Sequence, residues 1–529
     1  MAEGQQEAAQ PRRNGFTRFL DGVEWLGNLL PHPVTLFAVL ALGIVFLSGL
    51  LGWMGVAVID PRPAGAAGVA DDGMIRAVSL MDGDGIRRIF TNLVTNFTGF
   101  APLGVVLVAM LGVGVAEKSG LLSAAVRAMA LSAPPHMVTV AIVFAGIVSN
   151  TASEVGYVVL IPLAAGIFYA LGRHPLAGMA AAFAGVSGGY SANLLIGTID
   201  PLLAGITQEA ARLIDPGYTV VATANWYFMV GSTFLITLVG SLVTIFIVEP
   251  KLGKYDPLGA DPTILDDRMM EPIAKQERKG LRWAGIALLG VLGLMALTLL
   301  PEWGVLRNPD TGDRIDSPFF KGFVVWILIF FVVTGYVYGR VVGSMKSDRD
   351  VIDAMAAALA SLGLYIVLVF FAAQFVAFFG WTNLGAITAV TGSQFLLDTG
   401  MTGPSVFFFF ILICAIINLS LGSASAQWAV TAPIFVPMLM LIGYSPEVIQ
   451  AAYRIGDSTT NIITPMMSYF GLILAWATRY DKNLGVGTLI AMMLPYTIFF
   501  MLFWSLFFYV WVFALGLPVG PGSPTYYTP

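Results

Sequence analysis

The 529-residue sequence predicts an all-α polytopic membrane protein: two inverted repeats, nine transmembrane helices, two re-entrant hairpins and two broken helices. Three observations carry that expectation. Mean hydropathy is +0.81 and only 11% of residues are charged, where a soluble domain carries roughly 25%. Several apolar runs exceed the roughly 18 residues that mark a transmembrane helix. A shift of 271 positions also superposes the two halves around polar interruptions. It places Pro162 on Pro433, Pro175 on Pro446, Gly185 on Gly456, Ser187 on Ser458 and Tyr157 on Trp428.

Taken in order, residues 1–32 form a polar, cytoplasmic N-terminus. The span that follows lacks a small-residue cleavage site and reads as an anchor rather than a signal peptide. The first repeat, 33–248, has spans at 33–54, 92–117 and 222–248, a hairpin at 136–171 and a broken helix at 176–206. A charged cytoplasmic connector (249–281) leads to a lone span at 282–300, so the second repeat begins on the opposite face. That repeat, 320–516, has spans at 320–340, 353–380 and 487–516, a hairpin at 404–442 and a broken helix at 446–478; a periplasmic tail (517–529) ends the chain. Stretches 119–133 and 383–397 are too short to cross. The layout puts two thirds of the 27 Lys and Arg on the N-terminal side, as the positive-inside rule requires. Cys414 is the one cysteine and excludes an internal disulfide, while His32, His136 and His174 are scattered and suggest no metal site. No nucleic-acid partner is expected.

The interruptions carry the chemistry. Lipid cannot satisfy free backbone groups, so non-helical backbone at membrane depth must line a buried or watery cavity. Inverted repeats with interrupted helices in matching places point to a secondary transporter, with its site at the repeat interface. Half-helix N-termini favour an anionic substrate, and hydroxyl, amide and carbonyl oxygens suit a small hard cation. Ser149, Asn150, Thr151 and Ser153 occupy the first hairpin tip, and Ser423, Ser425 and Gln427 the second. Ser191 and Asn193 belong to the first break, near 185–193; Ser458, Thr459, Thr460 and Asn461 belong to the second, near 456–461. Ser149, Asn150, Thr151, Asn193, Asp457 and Asn461 are the candidate Na+ ligands.

"AAYRIGDSTTNIITP" (451–465) places Arg454 and Asp457 three residues apart at membrane depth. A charge there costs roughly 2.5–3.5 kcal/mol on insertion scales and persists mainly where it pairs or works. Asp457 reads as a coupling-ion or proton group, with Arg454 as its partner or as the anchor for a substrate carboxylate. The bland alternative is an ion pair that merely locks the broken helix. Glu154 either carries a proton or reaches into tip water. Asp200-Pro201 either works in transport or signals a helix end near the outer surface. Tyr157 and Trp428 either stack on an aromatic substrate or pack the interior.

"VEWLGNLLPHPVTLF" (23–37), "SNTASEVGYVVLIPLAA" (149–165), "SANLLIGTIDPLL" (191–203), "SASAQWAVTAPIFVPM" (423–438) and "AAYRIGDSTTNIITPMM" (451–467) together resemble the AbgT family of bacterial transporters, over nearly the whole chain. The resemblance implies a homodimer in the inner membrane, each subunit having nine spans and two hairpins arranged as scaffold and transport core. It implies cation-coupled uptake of p-aminobenzoyl-glutamate, or export of p-aminobenzoate-like aromatic acids including sulfonamides, with Na+ or H+ as the coupling ion and no other cofactor. It also implies transport roles for Asp200, Trp428, Pro446, Arg454, Asp457 and Pro465. The tip at 149–151 resembles a sodium-binding motif of related dicarboxylate transporters, a pattern from which 423–425 departs. The expected mechanism is an elevator-like alternation in which cation loading at the 149–154 tip and Asp457 tunes affinity for an aromatic carboxylate.

Two other classes compete. "RIGD" has the Gly-Asp of an intramembrane aspartyl hydrolase, but Arg454 stands where its first Gly belongs, and Tyr480-Asp481 follows in the wrong order. A passive channel needs a continuous pore, whereas hairpins from both faces favour a closed site exposed alternately.

Overall fold

The computed structural model describes residues 32–62, 70–152, 155–256 and 273–528. Expectations for residues 1–31, for residues 257–272 of the 249–281 connector, and for Ser153 and Glu154 fall outside these. Among the described residues, nineteen α-helices of nine residues or more and one small ribbon carry the fold. The first half contains α1 (Pro33–Trp53), α2 (Gly83–Thr98), α3 (Ala101–Ser119), α4 (Leu121–Leu131), α5 (Val138–Ser149), α6 (Ile161–Ala170), α7 (Pro175–Phe183), α8 (Ile199–Ala211) and α9 (Trp226–Val243). Then come α10 (Lys275–Leu299), α11 (Phe323–Val342), α12 (Asp348–Ser361), α13 (Gly363–Trp381), α14 (Leu384–Asp398), α15 (Val406–Asn418), α16 (Ala424–Leu441), α17 (Pro446–Thr460), α18 (Phe470–Tyr480) and α19 (Val486–Tyr509).

Among the described residues, eight helices are long and apolar enough to cross a membrane, or nine if α4 and the helix at 135–149, bent by 110°, count as one span. The fold is therefore an all-helical membrane protein in its spans, with one departure from the all-α expectation. Ala57–Ile59 (β1) pairs antiparallel with Met74–Arg76 (β2) in the loop after α1. Boundaries differ too. The expected span 92–117 lies within two helices that meet at Gly99-Phe100, and 353–380 is divided at Leu362. The stretch 119–133 holds a complete helix, α4, as 383–397 holds most of α14, and α16 alone is long enough to be a span.

Capping chemistry explains several of these ends. His32 Nδ1 accepts from Val34 N at 3.3 Å, with Pro33 opening α1 where its missing N–H costs nothing. Gly120 and Gly343 close α3 and α11 in the left-handed region, at φ 87° and 91°, where a Cβ would be strained. Small residues let α3 and α11 approach. A Cβ on Gly112 would lie 2.9 Å from Leu328 Cα, and one on Gly335 would lie 2.7 Å from Ala116 Cα. Such close backbone contact is how helices associate where lipid removes the hydrophobic drive.

The expected interruptions lie close to breaks in the α-helices. After Ser149 the chain tightens into a 3-10 turn over Asn150–Ala152. Helix lapses between Asn418 and Ala424, so Ser425 and Gln427 stand in the first turn of α16 rather than in a gap. The first broken helix runs through α7 to Gly188 and restarts at Ile199. The second stays intact through Thr460, tightens over Asn461–Ile463 and restarts at Phe470. Its break therefore follows 456–461 rather than occupying it, and Pro465, which cannot donate an N–H, lies inside it.

Candidate functional site

Helix α17 sets the stage. Ser445 caps it, its Oγ accepting from Val448 N at 3.3 Å, and Pro446 takes the first position. Pro446 is thus a helix-start residue, away from the charged centre. Every residue of α17 is buried, Arg454 and Asp457 almost completely. Because the helix is unbroken here, Arg454 and Asp457 stand one turn apart on it.

The expected Arg454–Asp457 partnership is not what forms. Arg454 Nη2 lies 2.7 Å from Asp200 Oδ1, with both side chains at most 2% exposed. Asp200 stands in the first turn of α8 and also accepts from Gly197 N at 2.7 Å, so it closes the end of the first break while neutralising a charge from the second broken helix. Its side chain is fully buried, at the helix end that Asp-Pro suggested. Asp457 instead has the Tyr453 hydroxyl 3.5 Å from its Oδ1, and its Oδ2 has no hydrogen-bond partner. Arg454 Nε and Nη1 are likewise unpartnered. The centre therefore holds spare donors and a spare acceptor one turn apart on one helix.

Trp428 is held on two sides. Its ring stacks on Tyr453 with centroids 4.2 Å apart at 22°. Its indole N–H donates to Thr207 Oγ1 at 2.8 Å. Thr207 Oγ1 also contacts Gln450 Oε1, Gln450 Nε2 donates to Asn225 Oδ1 at 2.7 Å, and Asn225 Nδ2 donates to Glu447 O at 2.8 Å. Tyr157 stacks on Tyr469 at 4.6 Å and 10°. Both aromatic positions singled out in the sequence already have a tyrosine on one face.

The polar tips and breaks meet. Thr151 Oγ1 donates to Asn193 Oδ1 at 2.7 Å, joining the first tip to the first break. Ser191 N donates to Ser458 Oγ at 3.2 Å, joining the two broken helices. Tyr453 donates to Ala424 O at 2.6 Å, tying α17 to the second tip. Asn418 Nδ2 reaches Asp457 O at 2.7 Å, Asn461 Oδ1 at 2.8 Å and Thr460 Oγ1 at 3.0 Å. In the break, Thr464 Oγ1 donates to Leu419 O at 2.8 Å. Ser149 Oγ turns back to Gly146 O at 2.6 Å, and Ser425, half-buried, has Ser423 Oγ at 3.4 Å.

Sequence reasoning missed Asn418, Thr207, Gln450 and Asn225. Asn418 closes the apolar run "FFFFILICAIIN" and Gln450 sits four residues before Arg454; a lone amide at the end of an apolar run was the available signal.

Among the described residues no group of three or more His, Cys, Asp or Glu could hold a metal. Asn150 Oδ1, Asn418 Oδ1, Gln427 Oε1 and Asp457 Oδ2 are all buried without a hydrogen-bond donor.

Comparison with known proteins bears on this arrangement. The AbgT putative transporter family matches residues 18–527. The chain belongs to the AbgT transporter family. Relatives agree with that assignment. The p-aminobenzoyl-glutamate transport protein of Escherichia coli (strain K12) is 36% identical over 500 residues, covering 94% of this chain and 95% of that one. Two solved structures are similar. MtrF of Neisseria gonorrhoeae, described as illuminating a class of antimetabolite efflux pumps, superposes with a TM-score of 0.90 at 60% identity, covering 96% of this chain and all of its own. The YdaH transporter of Alcanivorax borkumensis, described as having an unusual topology, gives 0.85 at 46% identity over 93% of this chain and all of its own. An AbgT-family chain is a multi-pass membrane transporter, and the hydrolase reading ends there.

Proposed function

We propose that this AbgT-family protein is a cation-coupled secondary transporter of p-aminobenzoyl-glutamate or p-aminobenzoate-like aromatic acids, and that it exports sulfonamide antimetabolites. The observation that carries the reading is the buried Arg454–Asp200 pair with its unused groups: Arg454 Nε and Nη1, with Asp457 Oδ2 a helical turn further along. A guanidinium with two free donors at membrane depth is suited to a carboxylate or sulfonyl oxygen. A carboxylate oxygen with no donor is suited to Na+ or a proton. Trp428 and Tyr453, adjoining the same centre, offer the aromatic surface.

We read the architecture as two inverted repeats with re-entrant hairpins at 136–171 and 404–442 and nine spans, assembled as a homodimer in a bacterial inner membrane with the N-terminus cytoplasmic and the C-terminus periplasmic. Packing supports the repeat. The first gap, 189–198, moved by 271 positions, falls on 460–469, where the second helix breaks. A Cβ on Gly185 would meet Val143 O at 2.4 Å, and one on its mate Gly456 would meet Ile411 O at 2.5 Å, each on the first arm of its own hairpin.

Proteoliposome flux with Na+ and pH gradients imposed separately tests the proposal. Saturable flux of p-aminobenzoyl-glutamate or a sulfonamide, driven by one of the gradients, is expected. Asp457→Asn is expected to abolish that drive while leaving a folded dimer by size-exclusion chromatography. Flux that neither saturates nor responds to either gradient would replace the carrier with a channel, and unchanged driven flux in the Asn variant would remove Asp457 from coupling.

A further inference from the structure

One apolar cavity of about 260 Å³ plays no part in the charged centre. It lies between α10, α11, α4 and the first hairpin tip, where Ser149 and Thr151 are part of its wall. On α10 its wall is Leu281, Ala284, Gly285 and Leu288, a stripe at helical spacing. The next stripe of the same helix is open: Trp283, Ile286 and Leu289 are 48%, 57% and 69% exposed, as residues against lipid chains are. The cavity therefore borders the bilayer. A polar solute entering it would lose hydration without gaining partners, whereas a hydrocarbon chain loses nothing.

What sits above the cavity fixes the kind of chain. The first two turns of α10 carry Lys275, Arg278, Lys279 and Arg282, all exposed. Arg278 is three residues before Leu281 and Arg282 three before Gly285, so both flank the stripe that lines the cavity. Glu277, the carboxylate on that stripe, is already matched by Arg127 of α4 at 3.2 Å. Basic residues at a membrane surface, over a slot between helices, are the arrangement that holds anionic headgroups.

We propose that this cavity takes one acyl chain of an anionic glycerophospholipid whose phosphate is held by Arg278 and Arg282. The chain end then packs against the tip that carries Ser149 and Thr151, which makes lipid occupancy a support for that tip. The proposal stands whatever the transported substrate is.

Native mass spectrometry of the delipidated full chain, titrated with dioleoylphosphatidylglycerol or dioleoylphosphatidylcholine, is the test. The wild type is expected to retain one phosphatidylglycerol with a preference of about thirtyfold, since each of the two arginines near the headgroup contributes roughly a five- to sixfold step. Arg278→Gln with Arg282→Gln changes only exposed side chains and is expected to bring the two lipids level. Gly285→Leu places its new side chain in open space, nothing lying within 4 Å of the added Cβ, and is expected to lose both lipids with its melting temperature unchanged. Equal retention of the two lipids by the wild type, or undiminished phosphatidylglycerol on Gly285→Leu, overturns the proposal. So does a dimer-to-monomer shift in Gly285→Leu with lipid retention intact, which would assign the cavity to a second copy of the chain.

Discussion

Arg454 is among the largest fully buried side chains of the described residues, and the carboxylate it pairs with, Asp200, comes from the other half of the chain. Removing either member of a buried pair leaves an uncompensated charge and costs about 3–5 kcal/mol. Arg454→Ala is accordingly expected to lower the melting temperature in detergent sharply. Asp200→Asn combined with Arg454→Gln is expected to recover much of that loss while transport stays absent, and a double-mutant cycle on the melting data measures the coupling. Trp428 allows a finer cut. Trp428→Phe keeps a ring against Tyr453 but deprives Thr207 of its indole donor, a loss of about 1 kcal/mol. Trp428→Ala empties a buried ring site and is expected to cost about 3–5 kcal/mol. Comparing their unfolding midpoints separates the hydrogen bond from the stack.

At the scale of elements, the glycines at matching places do the same job twice. Gly185 touches the α5 backbone and Gly456 the α15 backbone, so each broken helix lies directly on its own hairpin. Val at either position has no room and must push the hairpin arm away. Gly185→Val and Gly456→Val are each expected to destabilise the protein to a similar degree, by thermal unfolding of the two variants side by side, because the same contact is lost in each half. This pairing was readable beforehand, since a fixed shift of 271 positions aligned those glycines. The gaps were readable as well, from polar small-residue runs inside apolar segments. The ion pair was not. Asp457 is the carboxylate nearest Arg454 along the chain, and helical spacing made it the natural partner. The actual partner, Asp200, is brought in by the crossing of two broken helices, which no local pattern encodes. The break in α17 was placed slightly early for a related reason. Asp457, Ser458, Thr459 and Thr460 are poor helix formers in water, yet complete burial in this site holds them helical to the end.

At the scale of the whole molecule, the two halves are stitched together more than once. Asp200 with Arg454, Ser191 with Ser458, Thr207 with Trp428 and Tyr157 with Tyr469 all cross between them. A second fastening runs through the end of the described chain. Phe228 N donates to Val519 O at 3.0 Å, Ser445 N donates to Thr525 O at 3.2 Å, Tyr527 N donates to Gly443 O at 2.9 Å, and Ser523 Oγ donates to Ala224 O at 2.8 Å. Residues 519–527 thus bind the start of α9 to the turn before α17. Deleting 519–529 is expected to lower the melting temperature and to speed proteolysis around 443–445, measured by limited digestion. If one net charge crosses the membrane per cycle, the potential supplies about 2.3 kcal/mol per 100 mV. Flux in proteoliposomes is then expected to respond to a valinomycin-imposed potential as well as to the chemical gradient.

Asn418 offers the last consequence. Its amide nitrogen has two hydrogens, and three oxygens at the end of α17 compete for them. The three must share them, although the Thr460 hydroxyl brings a hydrogen of its own. On the proposed reading, a positive ion at one of these oxygens would leave the two hydrogens to the other two, and ion loading and the order of the helix end would meet at this amide.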